Sequence, residues 1–237
     1  MKSVTFFRSG TEVASHEILQ IEVKRARYMM AMLMEKLGAE GMAELFAPEI
    51  AAHESETKEW ALRADGRFTQ SVAQAHIAAG NGAEFIDWFW SAYAGPDGLA
   101  MLRAHPEHLG ALLLPDGRVG ILEVPGHTTS PALLRLRRLD EWNGIPIELD
   151  SGMPHRMMGR VESADGETLG YLLHQFRDTS AGFDAKLEIY WPSSAPAQLI
   201  RGHSDHLIVE WNNWFELYVL SRTRKTDLMS LALCVNT

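Results

Sequence analysis

A chain of 237 residues, 46% of them hydrophobic, can bury a core as one large domain or as one domain with a substantial appendage, which excludes a disordered tail. Its 22 lysines and arginines stand against 31 acidic residues, and the net charge of −9 argues against nucleic acid or an anionic membrane as partner and leaves a small molecule as the expected ligand. The single cysteine, Cys234, excludes an internal disulfide framework; with no apolar signal region at the start and no run near the roughly 18 apolar residues of a membrane helix, a soluble cytoplasmic protein is expected.

In chain order, "HEILQIEVKRARYMMAMLMEKL" spaces Ile18, Ile21, Ala26, Met29, Met30, Leu33 and Leu37 at helical intervals and predicts a first helix with Gly38 as its stop. "TQSVAQAHIAA" and "AEFIDWFWSAY" read as two further helices separated by "GNG", so that residues 1–104 form a mainly helical region. The Met-rich stripe Met29, Met30, Leu33 and Leu37 has no obvious partner within one chain, and its expected role is homodimerisation. Near residue 105 the pattern turns to short runs bounded by turn dipeptides: "HLGALLL", "RVGILEV", "PALLRLRRL", "HRMMGRVES", "TLGYLLHQFRD" and "FDAKLEIYW", with "ADG" as a tight hairpin between the fourth and fifth. After "WPSSAP" the helical period returns, with Ser194 as expected N-cap and Pro196 in the first turn. The expected fold is α+β: a helical N-terminal region, then, over 105–237, a helix-grip domain of the Bet v 1 or START type in which a curved antiparallel sheet is crossed by one long C-terminal helix.

That last helix carries the chemistry. His203, His206, Leu207, Glu210, Trp211 and Trp214 recur at i, i+3, i+4, i+7, i+8 and i+11, so ionisable groups stand on the face that should be apolar. The spacing leaves two readings. The histidines could be satisfied core groups with Glu210 paired to a strand arginine, or His206 and Glu210 at i, i+4 could converge on one divalent ion such as zinc. No Gly-x-Gly-x-x-Gly follows a strand, no phosphate loop is present, and no Gly-x-Ser-x-Gly marks a nucleophile elbow, which disfavours nucleotide cofactors and an α/β-hydrolase.

Four segments in order, "FIDWFWSAY" (85–93), "HPEHLGALLLPDGRVGILEVPG" (105–126), "MPHRMMGRVESADGETLGYLLHQFRD" (153–178) and "HSDHLIVEWNNWFELY" (203–218), resemble the diacetylphloroglucinol hydrolase and phloretin hydrolase family. Those enzymes use zinc to hydrolyse a carbon–carbon bond between a phenolic ring and an acyl group. The resemblance implies a helical dimerisation region followed by a helix-grip catalytic domain, and a metal held by two histidines and two glutamates. One pair is His-x-x-x-Glu on the last helix, matched by His206 and Glu210; a second glutamate follows the His-Pro-Glu-x-His segment on a strand, matched by Glu123. The remaining histidine closes the family's Trp-rich helix, where this chain has Tyr93.

That departure leaves Glu123, His206 and Glu210 as expected metal ligands, an oxygen-rich set that could take zinc, manganese or iron. His127 or His203 could supply a fourth ligand; alternatively the metal is lost, and Tyr93, His206 and Glu210 act as acid–base groups unaided. Tyr93, His206 and Glu210 are therefore the expected catalytic residues. His155, His174 and Trp214 are the expected substrate contacts, either histidine facing the cavity or cross-pairing on the outer face. The implied activity is metal-dependent hydrolysis of a carbon–carbon bond in an acylated phenol or related aromatic. The alternatives are a retro-aldol lyase using the same pocket, and a non-catalytic binder of hydrophobic aromatics.

Overall fold

The computed structural model describes residues 4–95, 98–126 and 128–234, with side chains up to Thr223 apart from Leu99. A small hairpin, β1 (Phe6–Arg8) and β2 (Thr11–Val13), precedes α1 (Ser15–Leu45), whose start is fixed by the Glu17 carboxylate accepting the Ala14 N–H at 2.8 Å. Gly38, at φ 68 and ψ 175, breaks the helical backbone where a stop is expected, and a second helical stretch continues across this kink to Leu45. Only Met34 and Met42 of α1 are buried, while Ile18, Met29, Leu33 and Leu37 remain exposed. α2 (Ala47–Ala64) follows and buries Ile50, His53, Thr57 and Trp60.

"TQSVAQAHIAA" is not a helix. It forms β3 (Phe68–Ile77), which pairs antiparallel with β9 (Gly182–Pro192) from Phe68 opposite Pro192 to Ile77 opposite Phe183. Its alanines and glutamines have little intrinsic strand preference, so the full-length ladder and the burial of Ser71, Ala73 and Ile77 on one face decide the conformation. α3 (Gly82–Ala94) forms as expected, capped by Asn81 Oδ1, which accepts the Glu84 N–H at 2.8 Å. A short α4 (Gly98–Leu102) leads into β4 (His108–Leu113), β5 (Val119–Glu123), β6 (Ala132–Arg138), β7 (His155–Glu162) and β8 (Thr168–Thr179), followed by β9 and then by α5 (Ala197–Cys234). Ser194 is not the cap of α5: its hydroxyl donates to the Trp60 carbonyl at 2.7 Å, and the Pro196 carbonyl accepts the Ile200 N–H.

The protein is therefore α+β, with two leading helices, a seven-stranded antiparallel sheet and a long C-terminal helix. β4 to β9 run as a meander in sequence order, and β3 adds to the β9 edge. α5 crosses one face, tied to β3 by Ser204 Oγ, which accepts the Val72 N–H at 3.0 Å, and by Ser71 Oγ, which donates to Ile200 O at 2.8 Å. Phe85 and Phe89 of α3, Leu187 and Trp191 of β9 and Trp211 of α5 form the main core between these layers. On the opposite face, Trp142 and Ile147 from the 139–153 excursion cover Tyr171 and Leu173, and Met42 and Ile50 pack on Leu109 and Leu122. Among the described residues no helix is long and apolar enough to cross a membrane.

Candidate metal and substrate site

The helical spacing of α5 puts His203, His206, Leu207, Glu210, Trp211 and Trp214 against the sheet, all of them buried. Glu123, the last residue of β5, is brought to this face by the turn that follows it. Gly126 there sits at φ 47, and a Cβ on it would lie 2.2 Å from the His203 backbone nitrogen, so only glycine lets the turn touch the first turns of α5. His108 opens β4 opposite Glu123, at an irregularity in the ladder between His108 and Gly110. Ligand atoms of His108, Glu123 and His206 lie within 4.8 Å of one another, and all three side chains are buried. Glu210 joins through His108, whose Nε2 is 3.1 Å from Glu210 Oε1 and 3.6 Å from Glu123 Oε2.

The outer nitrogens of both imidazoles are engaged. His108 Nδ1 lies 3.0 Å from the Leu102 carbonyl and His206 Nδ1 lies 2.8 Å from Glu107 Oε2, so each Nδ1 is a donor and each Nε2 points at the carboxylates. This is how metal-binding histidines are commonly oriented. Burial alone would raise the Glu123 carboxyl, but the His206, His203 and His108 rings outweigh it and hold it at about 2. Burial alone would lower His206, yet Glu123, Glu107 and Glu210 hold it up at about 9. Buried His108 Nε2 and Glu123 Oε1 nonetheless find no hydrogen-bond partner. Two imidazoles and two carboxylates with such unsatisfied inward atoms fit a divalent cation in composition and orientation.

His105, Glu107 and His206 also lie close together, but as a different kind of cluster. His105 Nδ1 already accepts the Glu107 N–H at 3.1 Å, and its ring stacks on His206 with centroids 3.8 Å apart. Burial, with His206 and His108 nearby, lowers His105 to about 2, so it is a neutral wall that holds His206 in place.

A cavity of about 580 Å³ opens from this cluster between α3, α5 and the inner face of the sheet. Tyr93 lines it, its ring against Phe89 and Trp214, and burial beside Glu210 and Glu123 raises its phenol, keeping it protonated. Trp214 lines it too, although its indole N–H is already donated to the Met101 carbonyl at 2.9 Å. His174 faces it, and burial, with His203 nearby, lowers it to about 3; its Nδ1 accepts the Glu188 N–H, which leaves Nε2 as the protonated nitrogen. His155 does not line the cavity: half-exposed, it sits near the start of α3 with Nε2 3.3 Å from Asp178. Being at the first position of β7, it lies beyond the reach of the pocket. His203 approaches Glu123 Oε1 at 3.6 Å from the cavity side, while His127 lies outside the described residues.

The second imidazole of the cluster thus comes from His108 and not from the α3 position held by Tyr93. His108 and Glu107 were legible only as part of "HPEH", where the alternation of His105, Glu107 and His108 just before a strand was the available signal. No protein-family model matches this chain, and no curated protein matches its sequence.

Proposed function

We propose that the protein is a metal-dependent hydrolase that cleaves a carbon–carbon bond between an aromatic ring and an acyl group, with His108, Glu123, His206 and Glu210 holding one divalent ion. The observation that carries the reading is that buried His108 Nε2 and Glu123 Oε1 make no hydrogen bond within a set of two imidazoles and two carboxylates, where His108 Nε2 lies 3.6 Å from Glu123 Oε2 and His203 Nε2 3.6 Å from Glu123 Oε1. On this reading the sheet with α5 across it is a helix-grip fold of the family that the four sequence segments resemble, and the α3 histidine of that family is replaced by His108 from β4.

A divalent ion held there supplies a Lewis acid for the carbonyl oxygen of an aryl ketone. The residues of the chain do the rest. The aromatic walls Phe89, Trp211 and Trp214 bind a flat ring. Tyr93, kept in its phenol form, donates a hydrogen bond to a substrate oxygen, and His174 offers its Nε2 proton to a phenolic oxygen. Net hydrolysis adds hydroxyl to the acyl carbon and a proton to the ring carbon, giving a carboxylic acid and the free phenol.

The test is elemental analysis and turnover together. Protein purified without chelator should carry close to one divalent ion per chain, hydrolyse an acylated phloroglucinol, and lose both properties in His206→Ala and His108→Ala. A protein that stays metal-free after reconstitution with zinc, manganese and iron overturns the metal centre. Tight aromatic binding without turnover would favour a binding protein, and turnover releasing an aldehyde would favour a lyase.

A further inference from the structure

β6 ends in "RLRR", and its three arginines have different surroundings. Arg135 reaches Glu54 at 2.6 Å and Arg137 reaches the buried Glu162 at 3.0 Å, so both charges are matched within the fold. Arg135 and Arg138 both line the cavity, but Arg138 has no such close acidic partner, and its guanidinium carbon lies 5.2 Å from the centre of the Trp90 ring. Its acidic neighbour, Asp140, is 3.8 Å away with both side chains largely in water, an arrangement that holds a charge weakly. Trp90, Leu113 and Val119 line the same end of the cavity and are 37%, 83% and 38% exposed, whereas His203 and His206 at the other end are buried. Arg138 therefore stands at the mouth.

Strand register gives the length of the cavity. Glu123, Ile121 and Val119 of β5 lie opposite Ala132, Leu134 and Leu136 of β6, and all six line the cavity. From Ala132, level with Glu123, to Arg138 is six residues, about 20 Å at roughly 3.3 Å per residue. A side-chain reach of about 6 Å from Arg138 leaves about 14 Å between its guanidinium and the level of Glu123, more than one aromatic ring fills. The wall between is Ile121, Leu134, Val119 and Leu136, suited to an alkyl chain.

We propose that Arg138, presented on the Trp90 ring at the mouth, binds the terminal carboxylate of an elongated aromatic acid, with the ring at the Glu123 end and an alkyl chain along β5 and β6. Guanidinium and carboxylate match as a two-pronged pair, and stacking on Trp90 fixes the plane of the fork. The proposal rests on the hydrolase reading only for what reacts at the far end, where the substrate class becomes an aroylalkanoate; the anion contact itself needs no metal.

The test uses the full chain stripped of metal by chelator, so that a carboxylate has no ion to bind, and titrates phenylhexanoate and its uncharged analogue phenylhexanol by calorimetry. The wild-type protein should bind the acid about tenfold or more tighter than the alcohol. Arg138→Gln should bring the acid to the affinity of the alcohol while leaving the alcohol unchanged, and Trp90→Leu should reduce the preference in part. Phenylacetate, too short to span the cavity, should be indifferent to Arg138→Gln. Equal affinities in the wild type, no binding of either long probe, or a preference that survives Arg138→Gln would each overturn the proposal. Because no ion is present, that failure is distinct from failure of the metal centre.

Discussion

Glu107 is half-exposed and does not itself line the cavity, yet its carboxylate sets which nitrogen of His206 faces the proposed ion. Removing its charge while keeping its shape should weaken zinc binding by about 10–100-fold, the usual effect of losing an outer partner of a ligating histidine. Competition against a chromogenic chelator checks this in Glu107→Gln, and unchanged affinity would remove Glu107 from the site. His174 gives a prediction in pH. Its folded-state value, about 3, lies below the ordinary 6.5, so between these limits the unfolded chain takes up a proton that the fold refuses, and stability falls as pH falls from 6.5 towards 3. The slope is up to about 1.4 kcal/mol per pH unit. Urea midpoints at pH 7 and pH 5 should therefore differ less in His174→Gln than in the wild type; an equal difference would show that His174 titrates normally.

Among the elements, β5 and α5 are coupled through one glycine. The turn after Glu123 meets α5 where Gly126 faces His203, and a methyl group there would collide with backbone while the residue is also held at positive φ. Gly126→Ala should cost about 1–3 kcal/mol of stability and, by pushing Glu123 away from His206, also lower metal content. Chemical denaturation and metal analysis on the same preparation check both; a loss of stability with full metal retention would mean that Glu123 is not a required ligand. β3 teaches the opposite lesson about legibility. Its sequence carries no strong alternation, and it becomes a strand because the β9 edge offers it a complete ladder, a fact that no window of "TQSVAQAHIAA" contains.

For the whole molecule, the exposed stripe on α1 is the open question. Ile18, Met29, Leu33 and Leu37 are each 39–46% exposed along one long helix, an apolar surface that soluble chains usually cover. We propose a homodimer that buries it. Light scattering at micromolar concentration should give twice the chain mass, and Leu33→Glu should shift the protein towards monomer without changing its circular dichroism. A wild-type monomer would overturn this, with the stripe left for some other partner.

The sequence by itself determined what depends on local period and residue chemistry: the strands β4 to β9, the helices α1, α3 and α5, and the face of α5 that carries His203, His206 and Glu210 inward. These are legible because a period of 3.6 or 2 is a property of neighbouring residues. Only the tertiary structure decided which residues from distant elements meet. It put His108 beside Glu123 and Glu210, turned Glu107 onto His206, left His155 outside the cavity and set Arg138 on Trp90. The reason is that convergence depends on strand register, on the Gly126 contact and on the packing of α3 over the sheet, and each of these joins residues far apart in the chain that carry no mark of one another.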